Sequence, residues 1–280
     1  MGEAWKARLA AGQKLSVRLV VDGFLEIRET FNIISETVEG DPNNVIMIGA
    51  HLDSVQAGPG VNDDGSGTSA LLEIMTAIRY YKGYRNKIRF GWWGAEESGL
   101  VGSTFYVDTL PESELDKIRF YFNYDMIGSI NPQYAVYQGT NPADAYGAQG
   151  LIDYLKANGK DAYAAPFGTS SDYLAFINNG VPSSGIFTGA GEPNDPCYHL
   201  VCDTTANINA DALTVNAKAA AFQVGTFALS DLAGLARRTK TTVNPRSKTE
   251  QRNQLNKMKR EFEHAVEHTH SCDNHAKILV

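Results

Sequence analysis

Between residues 45 and 232, short and almost wholly apolar runs alternate with segments whose apolar residues recur at helical spacing. That alternation limits the fold more than any other feature of the chain. The run VIMIGA at 45–50 has the character of a strand buried on both faces. It is followed by SGTSALLEIMTAIRYY at 66–81, where Ala70, Leu71, Ile74, Ala77 and Ile78 share one helical face. The pattern continues with a strand at 88–93, a helix at 99–109, a strand at 118–126, a helix at 143–158, a strand at 185–187 and a helix at 210–232. Upstream, 15–37 reads as strands broken at Asp22 and Gly23. The fold class that follows is α/β, a three-layer sandwich with a central mixed, largely parallel sheet flanked by helices.

In such sheets the functional groups gather just beyond the carboxyl ends of the strands. Four polar clusters stand there: His51 to Asp64 after VIMIGA, Glu96-Glu97 after FGWWGA, Asp125 after FYFNY, and His199 in the loop after GIFTGAG. Of six histidines only His51 and His199 lie in the first 236 residues, so imidazole chemistry in the body rests on those two. Asp53, two residues after His51, is placed to accept the second ring N–H and fix the tautomer. Gly58, Pro59 and Gly60 can turn the chain sharply enough to return Asp63 to the same point. The competing reading is a turn in which Asp63 or Asp64 caps the following helix.

Glu96 and Glu97 follow an intensely apolar strand, where two buried carboxylates cannot both stay ionised without a cation. A solvated helix N-terminus would also welcome them. Asp125 interrupts FYFNYDMIGS and is either a ligand or a structural carboxylate with several N–H partners. His199 sits in CYHLVC, whose two cysteines are better read as closing a small disulfide loop than as zinc ligands, since no second cysteine pair accompanies them. Together the clusters give two imidazoles and the carboxylates Asp63, Glu97 and Asp125, with Glu96 to spare. Three carboxylates come close to neutralising two divalent cations, and mixed nitrogen and oxygen ligation suits zinc. Such a pair of ions supports hydrolysis.

The stretches GAHLDSVQAGPGVNDDGSG, FGWWGAEESGLVGS, FNYDMIGS, SSDYLAF, GIFTGAG and CYHLVCD, in this order over 49–203, resemble the co-catalytic di-zinc aminopeptidases, in particular the secreted leucyl aminopeptidase and aminopeptidase Y types. The resemblance implies that His51 and Asp125 hold one zinc, Glu97 and His199 the other, and Asp63 bridges the two. It implies Glu96 as general base, Tyr198 as hydrogen-bond donor to the oxyanion, and Met126 and Phe187 as lining for an apolar first side chain. It further implies that Cys197 and Cys202 form a disulfide, that peptides with a free N-terminus are the substrates, and that the protein is a secreted or vacuolar monomer. Ser170 stands where the family commonly has arginine. Relatives also carry further chain ahead of position 1, and 12–20 looks like the end of an inserted domain. Two alternatives stay open: a glutaminyl cyclase, which uses a single zinc on the same fold, and a truncated, non-enzymatic domain.

Charge and hydropathy narrow the field. The formal net charge of -7 argues against nucleic acid as a partner. No apolar run approaches the roughly 18 residues needed to span a bilayer. The opening MGEAWKARLAAGQK has no apolar signal core. From Arg237 onward ten Lys and Arg face five Asp and Glu, against 15 and 27 before it. Residues 1–236 are therefore expected to form the catalytic domain, without its first helices and inserted domain, and 237–280 a basic, solvated tail. A metal site built from His264, His268, His270, Cys272 and His275 in that tail is the less favoured alternative.

Overall fold

The computed structural model describes residues 2–14 and 28–240. The strands expected within 15–27 and the histidines of the tail lie outside the described residues. In chain order the elements are α1 (Gly2–Ala10), β1 (Ile33–Glu36), β2 (Asp41–His51), α2 (Gly65–Ile78), β3 (Asn86–Trp93), α3 (Val101–Thr109), α4 (Glu112–Leu115), β4 (Ile118–Tyr124), β5 (Tyr134–Tyr137), α5 (Pro142–Ala157), β6 (Ala162–Ala165), α6 (Tyr173–Asn178), β7 (Ser183–Phe187) and α7 (Ala210–Leu229). Helix α1 belongs to a unit of its own that includes Met1–Glu29, and its residues from Glu3 on are exposed. The remaining elements fall in the unit Thr30–Glu263.

Seven strands form one sheet in the order β1-β3-β2-β4-β7-β5-β6. The four central strands β3, β2, β4 and β7 are parallel, β1 and β5 pair antiparallel to their inner neighbours β3 and β7, and β6 runs parallel to β5. Successive residues of a strand point to opposite faces, and the two faces bury different cores. Ile46, Ile48, Phe90, Phe122 and Tyr124 pack with Leu71 and Ile74 of α2, Leu151 and Leu155 of α5, and Val224 and Phe227 of α7. Met47, Trp93 and Tyr121 pack on the other side with Val107 of α3 and Phe176 of α6. There the Tyr121 and Phe176 rings stack with centroids 3.7 Å apart. This is the three-layer arrangement that the sequence implies.

The first residues after 236 carry contacts of their own: Arg237 donates to the carbonyls of Ile118 (2.6 Å) and Leu115 (3.4 Å), and Arg238 pairs with the buried Asp144. Lys240 reaches Glu112 at 2.5 Å. These three cations meet carbonyls and carboxylates near the amino end of the sheet.

Candidate metal centre

The parallel strands β2, β3 and β4 end side by side, and each delivers acidic or imidazole groups to the same spot. His51 is the last residue of β2 and is buried. Its backbone N–H donates to Asp64 (3.1 Å), and its ring Nδ1 lies 2.9 Å from the carbonyl of Asp53. That contact makes Nδ1 the protonated nitrogen and leaves Nε2 free to bind an ion. The carboxylate of Asp53, which the sequence assigns to this ring, stands 3.8 Å away. It accepts instead the backbone N–H groups of Glu96 (2.9 Å) and Glu97 (3.2 Å). Two peptide donors in the turn after β3 outcompete one ring N–H for a carboxylate. Asp53 thereby ties the glutamate pair to the residue beside His51.

Asp63 and Asp64 divide the two roles that the sequence leaves open. Asp64 is the helix cap: it accepts from Gly67 N (2.9 Å) at the start of α2, from Met126 N (3.1 Å) and from His51 N. A side chain on Gly67 would meet the carbonyl of Tyr124, so only glycine lets α2 approach the end of β4 this closely. Asp63, by contrast, turns its two oxygens to two imidazoles: Oδ1 is 3.1 Å from His51 Nε2 and Oδ2 is 3.1 Å from His199 Nε2. His51 Nε2 also lies 3.6 Å from Asp125 Oδ1, and His199 Nε2 lies 2.9 Å from Glu97 Oε2. The structure thus gathers all five residues that the sequence singles out as ligands.

His199 Nε2 and Glu97 Oε1 are buried and have no hydrogen-bond partner. The Nε2 atom sits between two carboxylates, 3.1 Å from Asp63 Oδ2 and 2.9 Å from Glu97 Oε2. Two groups of clustered ligand atoms result, His51, Asp64 and Asp125 in one and Asp63, Glu97 and His199 in the other. Because three backbone N–H groups already occupy the Asp64 oxygens, Asp63 is the better donor for the first group also. Two imidazoles and three carboxylates fit a pair of adjacent divalent cations.

Burial, reinforced by Asp125 and Asp172, pushes the Glu96 carboxyl up to about 9. Burial with Asp63 alongside pushes Glu97 up to about 7, and burial raises Asp63 too. Burial works against a charged His51, but Asp125 and Asp63 outweigh it and raise the imidazole well above its ordinary value. Without a bound cation, burial and mutual repulsion thus favour the protonated forms of these carboxyls.

The outer supports escape sequence reasoning. Asp125 Oδ2 accepts from Ser171 Oγ (2.6 Å), which accepts from Asn123 Nδ2 (2.8 Å); Asn123 Oδ1 accepts from Tyr121 Oη (2.8 Å), which accepts from Trp93 Nε1 (3.0 Å). This chain links β3, β4 and the start of α6, and nothing in the local sequence marks its members. Cys197 and Cys202 form a disulfide, with Tyr198 and His199 in the loop it closes. His199 (φ 59°) and Met126 (φ 51°) both adopt left-handed backbone beside the ligand set, a placement common at functional sites. The Tyr198 ring stacks on His199 at 3.8 Å. A cavity of about 70 Å³ opens over the ligands, with Glu96, Met126, Tyr137, Ser170, Phe187, Ala190 and Tyr198 in its wall.

The profile of Peptidase family M28 matches residues 32–224, which include every one of these residues. The chain belongs to that family. It is similar to aminopeptidase Y of Saccharomyces cerevisiae, with 42% identity over 239 residues that cover 81% of this chain and 44% of that protein. It is similar also to leucine aminopeptidase 2 of Trichophyton equinum, with 42% identity over 266 residues, 85% of this chain and 53% of that one. Among solved structures, a zinc aminopeptidase from Bacillus subtilis superposes with a TM-score of 0.63 at 30% identity, covering 75% of this chain and 53% of the other. The chain spans about half the length of these M28 relatives.

Proposed function

We propose that this chain carries the catalytic domain of a zinc aminopeptidase, which binds two zinc ions and removes N-terminal residues, large apolar ones first, from peptides. The observation that carries the reading is Asp63, whose two oxygens each face a different imidazole, with Asp125 and Glu97 completing the two sides. One shared carboxylate between two ligand groups describes two neighbouring cation positions. The family match and the aminopeptidases similar to this chain support the activity.

When bound, zinc supplies Lewis acidity that polarises a carbonyl and lowers the pKa of water. The chain supplies the rest. Glu96 lines the cavity without belonging to either ligand group. It takes a proton from the attacking water and returns it to the leaving amine. Tyr198, its phenol kept neutral because burial and the nearby carboxylates raise it further, donates a hydrogen bond to the developing oxyanion. Met126, Tyr137, Phe187 and Ala190 form the apolar side of the cavity for the first side chain. The surplus carboxylates receive the free amine of the peptide. The disulfide supports residence in an oxidising compartment, secreted or vacuolar.

Metal analysis of the purified, zinc-reconstituted chain, combined with hydrolysis of leucine-p-nitroanilide, tests the reading. Two zinc ions per chain with release of nitroaniline are expected. One ion with no hydrolysis would favour the glutaminyl cyclase alternative, which the completeness of both ligand groups opposes.

A further inference from the structure

The backbone of the segment that presents Asp63 is fastened to the loop that presents His199 by one residue in particular, Asp203. Its carbonyl accepts the N–H of Val61 (3.1 Å), its Oδ1 that of Asn62 (2.9 Å) and its Oδ2 that of Asp63 (3.1 Å). Three successive peptide N–H groups leading to the shared carboxylate are therefore held by one side chain and its own carbonyl. Asp203 directly follows Cys202, the second half-cystine of the His199 loop. At the other end of that loop Asp195 accepts from Cys197 N (3.0 Å) and from the side chain of Asn62 (2.7 Å). Asn207 Nδ2 donates to both carboxylates, at 2.7 Å to Asp195 and 3.2 Å to Asp203. Asp195 and Asp203 are buried, at 0% and 2% exposure.

We infer that Asp203 is a positioning residue, which sets the register of Asp63 against His199 so that one carboxylate can serve both ion positions. The inference rests on the two-ion reading above. A charged acceptor makes shorter and stronger bonds to N–H donors than a neutral one does, and here the donors are the backbone of the bridging ligand and the two residues before it. A site of this kind loses function when its ligands drift by more than about 0.5 Å. Because Asp63 is common to both groups, loosening it weakens both ions at once. Loss of an ordinary outer support would weaken one.

The test compares zinc affinity in the full-length chain, by competition with a chromophoric chelator, among the parent, D203N and D195N. An amide at 203 keeps the size but puts an N–H against the peptide donors. D203N is expected to lose about 10- to 100-fold in affinity at both ions and to change the visible spectrum of the cobalt-substituted protein. D195N, which contacts neither Asp63 nor Val61, is expected to retain the parent spectrum. If D203N does not fold, N207A removes one support of Asp203 and is expected to lose about tenfold. Parent affinity and spectrum in D203N, or in N207A, overturn the inference, as does an equal loss in D203N and D195N. A parent chain that binds no zinc would instead bring down the two-ion reading and this inference with it.

Discussion

Asp63 offers both its carboxylate oxygens to imidazoles, whereas its neighbour Asp64 gives its own to three backbone N–H groups. Residue type and spacing are the same for both, so sequence places a carboxylate near His51 but does not tell ligand from cap. The pair Glu96 and Glu97 divides similarly, with Glu97 on His199 and Glu96 facing the cavity. E96A should therefore lower turnover of leucine-p-nitroanilide by about 10² to 10⁴ while bound zinc stays at the parent level; zinc lost together with activity would make Glu96 a ligand. Titration gives a second expectation. With metal removed, Glu96 at about 9 and Glu97 at about 7 lie above the ordinary glutamate value of 4.5. Between those limits the folded chain keeps protons that the unfolded chain has released. The stability due to these groups is thus complete below about pH 4 and is lost as pH rises through 7 towards 9. Urea midpoints in chelator should fall between pH 6 and 9, and excess zinc should remove the trend. A flat profile in chelator would contradict it.

Among elements, the long ones announce themselves. β2, α2, β3, β4, α5 and α7 appear in the sequence within a few residues of their structural bounds, because each buries a continuous apolar face. β5 (YAVY) and β6 (AYAA), the latter on the sheet's edge, are four residues each and carry too little apolar pattern to stand out. Helix α6 is only six residues long, and its Tyr173 and Phe176 are buried through tertiary contact rather than by periodicity. The disulfide loop is legible as a C-x4-C spacing, but its hydrogen bonds to residues 62 and 63 through Asp195 and Asp203 are not. Closing a loop this short removes limited chain entropy, so C197S should cost about 2 kcal/mol in urea unfolding. Zinc binding should weaken as well, since His199 loses its tether. Stability and zinc affinity both at the parent level would show that Asp195 and Asp203 fix the loop without the disulfide.

For the whole molecule, the carboxyl ends of the sheet hold the acidic pocket, and the amino ends are closed by cations that follow α7. Arg238 pairs with Asp144, which has 0% side-chain exposure and also accepts from Ser183 N (3.0 Å) at the start of β7. Removing one partner of a buried pair leaves the other uncompensated. R238A should therefore lower stability by about 3 kcal/mol without changing the zinc content of the folded chain; parent stability would mean that water replaces the guanidinium. The sequence by itself determined the α/β layering and the strand ends at which ionisable side chains collect, because burial periodicity and the choice of ionisable side chain are local properties. Only the tertiary structure decided which aspartate faces the two imidazoles and which caps the helix. It alone assigned the Asp53 carboxylate to the backbone of the glutamate pair and joined Asp203 to residues 61–63, since hydrogen-bond partners some 140 positions apart meet only after the sheet has assembled.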